Sequence, residues 1–218
     1  MAGFTTETTG DAVQHGTGPW RCMPRPRLSG GGLTVSAVEP AHIEDIRCWR
    51  NAQLEVLRQA HPIAPAEQQA YFSTHIWPEK EREEPRNVLL VIAEAPEVGD
   101  ATPSGRVIGY GGLVHIAWPY QRAEVSFLLE PSLARQPQVQ LDVFVRFMRL
   151  MQTLAFVDLG LVRLTSETYA FRTGHIAALE RCGFVREGVL RDHVVVDGAR
   201  CDAVLHGCLA RDHARSAP

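Results

Sequence analysis

From Leu33 the chain alternates apolar and polar residues in "LTVSAVE", the period of two expected of a half-buried strand, and Pro40 ends it. "AHIEDIRCWRN" then spaces Ile43, Ile46 and Trp49 along one side of a helix, and "APAEQQAYFSTHIW" carries a second helical pattern to Pro78. After the charge run "PEKEREEPR" come two strand-like runs, "NVLLVIAEA" and "RVIGYGGLVHI", joined by a Pro/Gly-rich loop and predicted to pair as a hairpin. "RAEVSFLLE" is a fourth strand. The segment from Val139 to Leu159 follows, with Phe144, Val145, Met148, Met151, Leu154 and Ala155 on one helical face. "LVRLTSETY" makes a fifth strand and residues 174–182 a short helix. Two last strands meet at Asp197-Gly198, a strong hairpin signal. The predicted order is β, αα, βββ, α, β, α, ββ, an α/β chain with no internal repeat.

Composition narrows the partners. With 218 residues, 45% hydrophobic content and a formal net charge of −3, the chain is long enough for one well-buried domain, taken as residues 33–212. No basic cluster interleaves with aromatics, which argues against nucleic acid and an anionic membrane as partners and moves small molecules up. Five cysteines without a CxxC pair, and no secretory or membrane-length apolar run, predict reduced thiols and a cytoplasmic protein. Residues 1–32 mix Thr, Gly, Pro and Arg without period and read as a flexible N-terminal arm.

The element order, together with "ALERCGFVREGVLRDHVVVDGARCDAVLHGCL", resembles the GNAT superfamily of acyl-CoA N-acyltransferases over roughly residues 33–210. "WRN" (Trp49 to Asn51), "PI" (Pro62, Ile63) and "EQQAYF" (Glu67 to Phe72) resemble the branch of ribosomal-protein alanine and bacterial amino-sugar N-acetyltransferases. This resemblance implies a mixed, strongly twisted seven-stranded sheet, splayed between strands four and five, with helices on both faces. It implies acetyl-CoA or another acyl-CoA as co-substrate, held through its pantetheine by the backbone of Phe127, Leu128 and Leu129. Relatives frequently dimerise, so a homodimer is also implied.

In the family the loop after strand four offers backbone N–H groups to the pyrophosphate at a helix N-terminus, with the form R/Q-x-x-G-x-G/A. Here it reads Arg135, Gln136, Pro137, Gln138, Val139, Gln140: the Arg is kept and both glycines are Gln. If those positions require left-handed backbone, Gln costs about 1 kcal/mol at each. Gln side-chain amides could act as replacement donors, and an ordinary polar turn is the competing reading. The Asn and Tyr that the family often carries in the next helix are Arg172 and Leu179, and a leucine cannot serve as the acid.

Acyl transfer to an amine needs a base for the amine proton, a grip on the thioester oxygen and an acid for the departing thiolate. Glu124 on strand four stands where such enzymes often keep the base, and an ion-paired edge carboxylate is its alternative. Tyr169 and His175 flank the vacant acid position. Tyr110, His115 and Trp118 are candidates to line the acceptor pocket, although residues of these kinds are more often packing, rim or turn residues. Asp192, His193, His206 and Cys208 lie on paired strands without HxxxH or CxxC spacing, so a packed hairpin is preferred and no metal is expected. The leading expectation is an N-acyltransferase acting on a small-molecule amine such as an amino sugar or amino-acid derivative. Two alternatives stay open: an acyl carrier protein as the donor, whose phosphopantetheine has no pyrophosphate to cradle, and a degenerate member that binds without acyl transfer or does other chemistry in the same cleft.

Overall fold

The computed structural model describes residues 16–95 and 105–216. Among these residues eight strands form one sheet: β1 (Arg27–Gly30), β2 (Leu33–Ala37), β3 (Val88–Glu94), β4 (Val107–Ala117), β5 (Arg122–Leu129), β6 (Arg163–Tyr169), β7 (Val185–Val196) and β8 (Ala199–Leu209). They lie in the order β1-β2-β3-β4-β5-β6-β8-β7. Every neighbouring pair is antiparallel except β5 with β6. The seven expected strands are β2 to β8, and β1 is an addition.

That addition corrects the reading of the N-terminal arm. Residues 27–30 pair with β2, and Trp20, Met23 and Leu28 are buried. The Trp20 indole donates to the Leu89 carbonyl at 2.9 Å. Lys80, the only lysine of the chain, is itself buried, and its Nζ donates to the carbonyls of Gly16 (2.6 Å) and Val38 (3.1 Å). Desolvation lowers its pKa to about 8. The apolar anchors are isolated among Gly, Pro and Arg, so no period announced them. Residues 1–15 of the expected arm, and most of the Pro/Gly-rich loop after β3, lie outside the described residues.

Among the described residues six α-helices accompany the sheet: α1 (Ile43–Asn51), α2 (Pro65–Tyr71), α3 (Pro131–Ala134), α4 (Pro137–Gln152), α5 (Thr173–Arg181) and α6 (Ala210–Ser216). Wider, π-helical turns prolong α2 through Ile76 and α4 through Asp158. The apolar stripe of α4 is its core face: Phe144, Met148, Met151, Leu154 and Ala155 are buried, and Val145 is half-buried at the margin. Phe144 and Phe147 meet Phe127 of β5 with ring centroids 5.1 and 5.2 Å apart. Ser126, pointing the opposite way from Phe127, faces a cavity also lined by residues of α1 and α2. Helices therefore cover both faces, as expected.

Two positions, one inside β4 and one in a turn, show why the sequence is glycine-bearing where it is. At Gly112 φ is +138° and a Cβ would sit 2.0 Å from the Val88 carbonyl oxygen, so β3 and β4 can approach only without a side chain there. Asp197 and Gly198 take φ values of 49° and 78°, as a tight hairpin between β7 and β8 requires. The test of the packed N-terminal segment is Trp20→Ala, expected to lower unfolding stability by about 3–5 kcal/mol in urea melts. A change below about 1 kcal/mol would mean that the segment contributes little to the core.

Candidate active site

β5 and β6 pair over only three residues, Arg122 with Arg163, Ala123 with Leu164 and Glu124 with Thr165. Beyond Glu124 the strands part: β5 stays on β4 to Leu129, and β6 stays on β8 to Tyr169. The opening holds a cavity of about 120 Å³ whose walls include Glu124, Phe127, Phe144, Tyr169, Arg172 and His175. Of the three residues expected to offer backbone to a pantetheine, only Phe127 lines it. Leu128 and Leu129 are buried, and the Leu129 carbonyl already accepts from the Gln53 side chain at 2.8 Å.

On the α1–α2 side of the gap, Glu124 and Glu167 share a sheet face with Tyr169, two residues further along β6. Arg58 ties them together. Its Nη2 bonds to Glu124 Oε1, and its Nη1 lies 3.8 Å from Glu167 Oε2. A bulge in β7, with Asp192 at φ 51°, brings His193 Nε2 to 3.5 Å from the other Glu167 oxygen. The paired-carboxylate alternative for Glu124 is therefore realised, with its second oxygen free of any protein hydrogen bond among the described residues. Tyr169 is buried and its pKa is raised, by desolvation first and by Glu167 second, so its phenol stays protonated at neutral pH. Its hydroxyl makes no hydrogen bond among the described residues.

On the α4–α5 side, His175 packs against Phe144 with ring planes tilted by 44° and centroids 4.1 Å apart, and its Nδ1 is buried without a partner among the described residues. Burial, with Arg172 and His206 nearby, lowers its pKa to about 3. A neutral imidazole has no readily released proton, which argues against His175 as the acid. Leu179, at the family's tyrosine position, is fully buried. Arg172, at the family's asparagine position, reaches the cavity beside Tyr169, and burial lowers its pKa.

The segment 134–140 is the end of one helix and the start of the next, broken at an extended Gln136, rather than a glycine-type loop. Arg135 closes α3 with φ −79°, Gln136 caps α4, and Pro137 is its first residue. None of residues 135–140 has positive φ, so the left-handed strain expected of the two glutamines does not arise. Pro at this position suits a helix start, where its missing N–H has no acceptor to lose. The Gln140 N–H already bonds to the Gln136 carbonyl at 2.9 Å. The N–H groups of Gln138 and Val139 are left without intrahelical acceptors. Gln136 gives no side-chain cap, and its amide N–H donates to the Ser132 carbonyl at 3.1 Å. Arg135, Gln136 and Gln138 are exposed, whereas Gln140 is half-buried.

The other predicted pocket residues separate. Tyr110 lines a cavity of about 380 Å³ under α1 and α2, which touches the strand gap at Val114 and Ser126. His115 is exposed on a bulge of β4, with φ 51°, and lines neither cavity. Trp118 starts the turn before β5, donates its indole N–H to the Pro85 carbonyl at 2.7 Å and also lies outside both. Arg58 and Glu167 were missed. Glu167 could have been found by counting two residues back from Tyr169, whereas Arg58 sits in an aperiodic stretch that carries no signal.

With this geometry in view, comparison with protein-family models matches residues 33–185 to the acetyltransferase (GNAT) domain. The chain belongs to that family. Comparison with curated protein sequences gives no match. Among solved structures, spermidine N-acetyltransferase from Vibrio cholerae in complex with CoA and spermine is similar: 18% identity, TM-score 0.69, covering 85% of this chain and 99% of that one. A dodecameric structure of spermidine N-acetyltransferase from the same organism, in an intermediate state, has 18% identity and TM-score 0.67, covering 86% and 100%. At this identity the likeness is one of fold.

Two outcomes follow from the local geometry. Gln138→Gly with Gln140→Gly should lower stability by about 1 kcal/mol in thermal melts, because both residues are helical; a gain would mean that the turn is strained after all. Since the His175 pKa is lowered when folded, the unfolded chain binds more protons between about pH 6.5 and 3, and stability falls as the pH drops through that window. His175→Phe should lose less stability over this range than the parent, and equal losses would place the titration elsewhere.

Proposed function

We propose that the protein transfers an acyl group, most simply acetyl, from an acyl-CoA to the amine of a small metabolite such as an amino sugar or amino-acid derivative. The observation that carries this reading is the β5–β6 gap. It lies between a face packed by α4 and α5 and a face that carries a carboxylate and joins a second, largely apolar cavity. The thioester, when bound, supplies the activated acyl carbon.

The residues present fit such a co-substrate. Phe127 is the backbone position open to a pantetheine, and Arg135 with the Gln138 and Val139 N–H groups would meet the phosphates at the positive end of α4. Glu124 would take the amine proton through its free oxygen, with Arg58 fixing the carboxylate. Tyr169 would donate its proton to the departing sulfur, the role that Leu179 cannot fill. Arg172 would favour the negative charge that develops there. The carrier-protein alternative drew its support from a loop unable to hold a pyrophosphate, and the helical start of α4 removes that reason. A non-catalytic role gains no support from a gap that keeps a carboxylate and a phenol on its walls.

Spermine and spermidine, the amines of the similar structures, need unmatched carboxylates on the acceptor side. Here Glu124 and Glu167 both face Arg58, which favours an acceptor of lower positive charge.

Calorimetry with acetyl-CoA should give micromolar binding, weakened about five- to tenfold by Arg135→Ala. In acetyl transfer to a primary amine, Tyr169→Phe and Glu124→Gln should each lower kcat at least tenfold while leaving acetyl-CoA binding in place. Absence of binding by the parent protein would overturn the reading.

A further inference from the structure

The 380 Å³ cavity beside the gap has walls of Ile46, Ile63, Phe72, Leu89 and Val114, and one guanidinium, Arg50, enters it. Arg50 is half-buried and held in place from two sides. Its Nη1 donates to the Tyr110 hydroxyl at 2.7 Å, and its Nε donates to Gln59 Oε1 at 2.8 Å. Gln59 in turn donates to Asn51 Oδ1 at 3.0 Å, and Asn51 is clamped to Ile63 through both backbone groups, at 2.8 and 2.9 Å. This chain of bonds joins the "WRN" and "PI" stretches and fixes the direction of the guanidinium.

All of these partners are neutral. Among the described residues no carboxylate pairs with Arg50, and its Nη2 makes no hydrogen bond. Glu67, the one acid on the cavity wall, is turned to the start of α2, where it accepts from the Ala64 N–H at 3.3 Å and lies 3.8 Å from His61. A positioned, half-buried cation without its counter-charge calls for an anion from outside the chain.

We infer that Arg50 anchors an anionic group, a carboxylate in the simplest case, on the far end of the acceptor whose amine reaches Glu124. This rests on the acceptor-side reading given above. Tyr110 and Val114 are four residues apart on β4, and Val114 stands opposite Glu124 in the register. At the rise of an extended strand this places the anion on the order of 10 Å from the reacting amine, with an apolar stretch between them. An α-amino acid is too short to span it. The acceptor class is an ω-amino acid or a short peptide with a free carboxylate, and a second ammonium at the far end would meet Arg50 with like charge.

Three probes of equal length separate these cases: ω-aminooctanoate, octylamine and octane diamine, titrated into the full-length protein by calorimetry. Binding needs no turnover, so failure of acetyl transfer and failure of anion preference are read separately. The expected result is aminooctanoate binding about ten- to a hundredfold tighter than octylamine, with the diamine weakest. Arg50→Met should erase the difference between aminooctanoate and octylamine, and Arg50→Lys should keep most of it, with thermal melts reporting whether each variant folds. The comparison on the parent protein stands even if Arg50→Met does not fold. Equal binding of the three probes, preference for the diamine, or no measurable binding of aminooctanoate overturns the assignment, while acetyl-CoA binding reports on the transferase reading independently.

Discussion

Everything at the site depends on two parallel strands that stay together for three residues and then separate. Past Glu124 and Thr165, β5 and β6 each keep a partner on one edge only, β4 and β8 respectively. Backbone groups on the other edges lose ladder hydrogen bonds and must find other partners. The chain tolerates this because aromatic packing holds the parted strands from one side: Phe127, Phe144 and Phe147 form one cluster against α4, and His175 closes on Phe144 from α5. The opening is thus a packed feature of the core rather than a defect of the sheet.

The two faces of the opening differ in electrostatics as much as in shape. Arg58 bridges Glu124 and Glu167 on one side, so neither carboxylate stands alone beside Tyr169. On the other side His175 is neutral, and Arg172 is the charged group that reaches the cavity. Tyr169 lies where both influences meet. Burial and Glu167 raise its pKa, while Arg58 and Arg172 oppose them. A phenol so placed keeps its proton and has a cation at hand for the charge that would remain once the proton is given up.

Much of this was legible in the chain itself, wherever periodicity or turn chemistry carried it. The alternation of "LTVSAVE", the apolar stripe of α4 and the Asp197-Gly198 hairpin all appear in the structure as elements. β1 and the packed residues around Trp20 were missed because single anchors set among Gly, Pro and Arg produce no period. Tyr110 and Glu124 belong to the two linked cavities, whereas His115 and Trp118 do not, because the β4 bulge and the following turn carry them away from both. A strict count of alternating residues cannot see a bulge, and it puts every later side chain of that strand on the wrong face. Arg50 was visible as part of "WRN", but its charge gained meaning only when its partners proved to be neutral.

The segment 134–140 shows what the letters of a motif leave unsaid about its backbone. Glycines in such a loop let backbone N–H groups converge on an anion, and their replacement left a rebuilt phosphate site and an ordinary polar turn both open. In the folded chain the same region is the end of α3 followed at once by Pro137 and α4, so no residue there needs glycine's conformations. The free N–H groups of a helix start, and the positive end of its dipole, do not depend on glycine. What two glutamines and a proline change is the surface around those groups: Pro137 withholds one donor, while Gln138 adds an exposed amide beside two that remain. At this position the departure from glycine therefore changes the side chains around the helix start and leaves the backbone fold untouched.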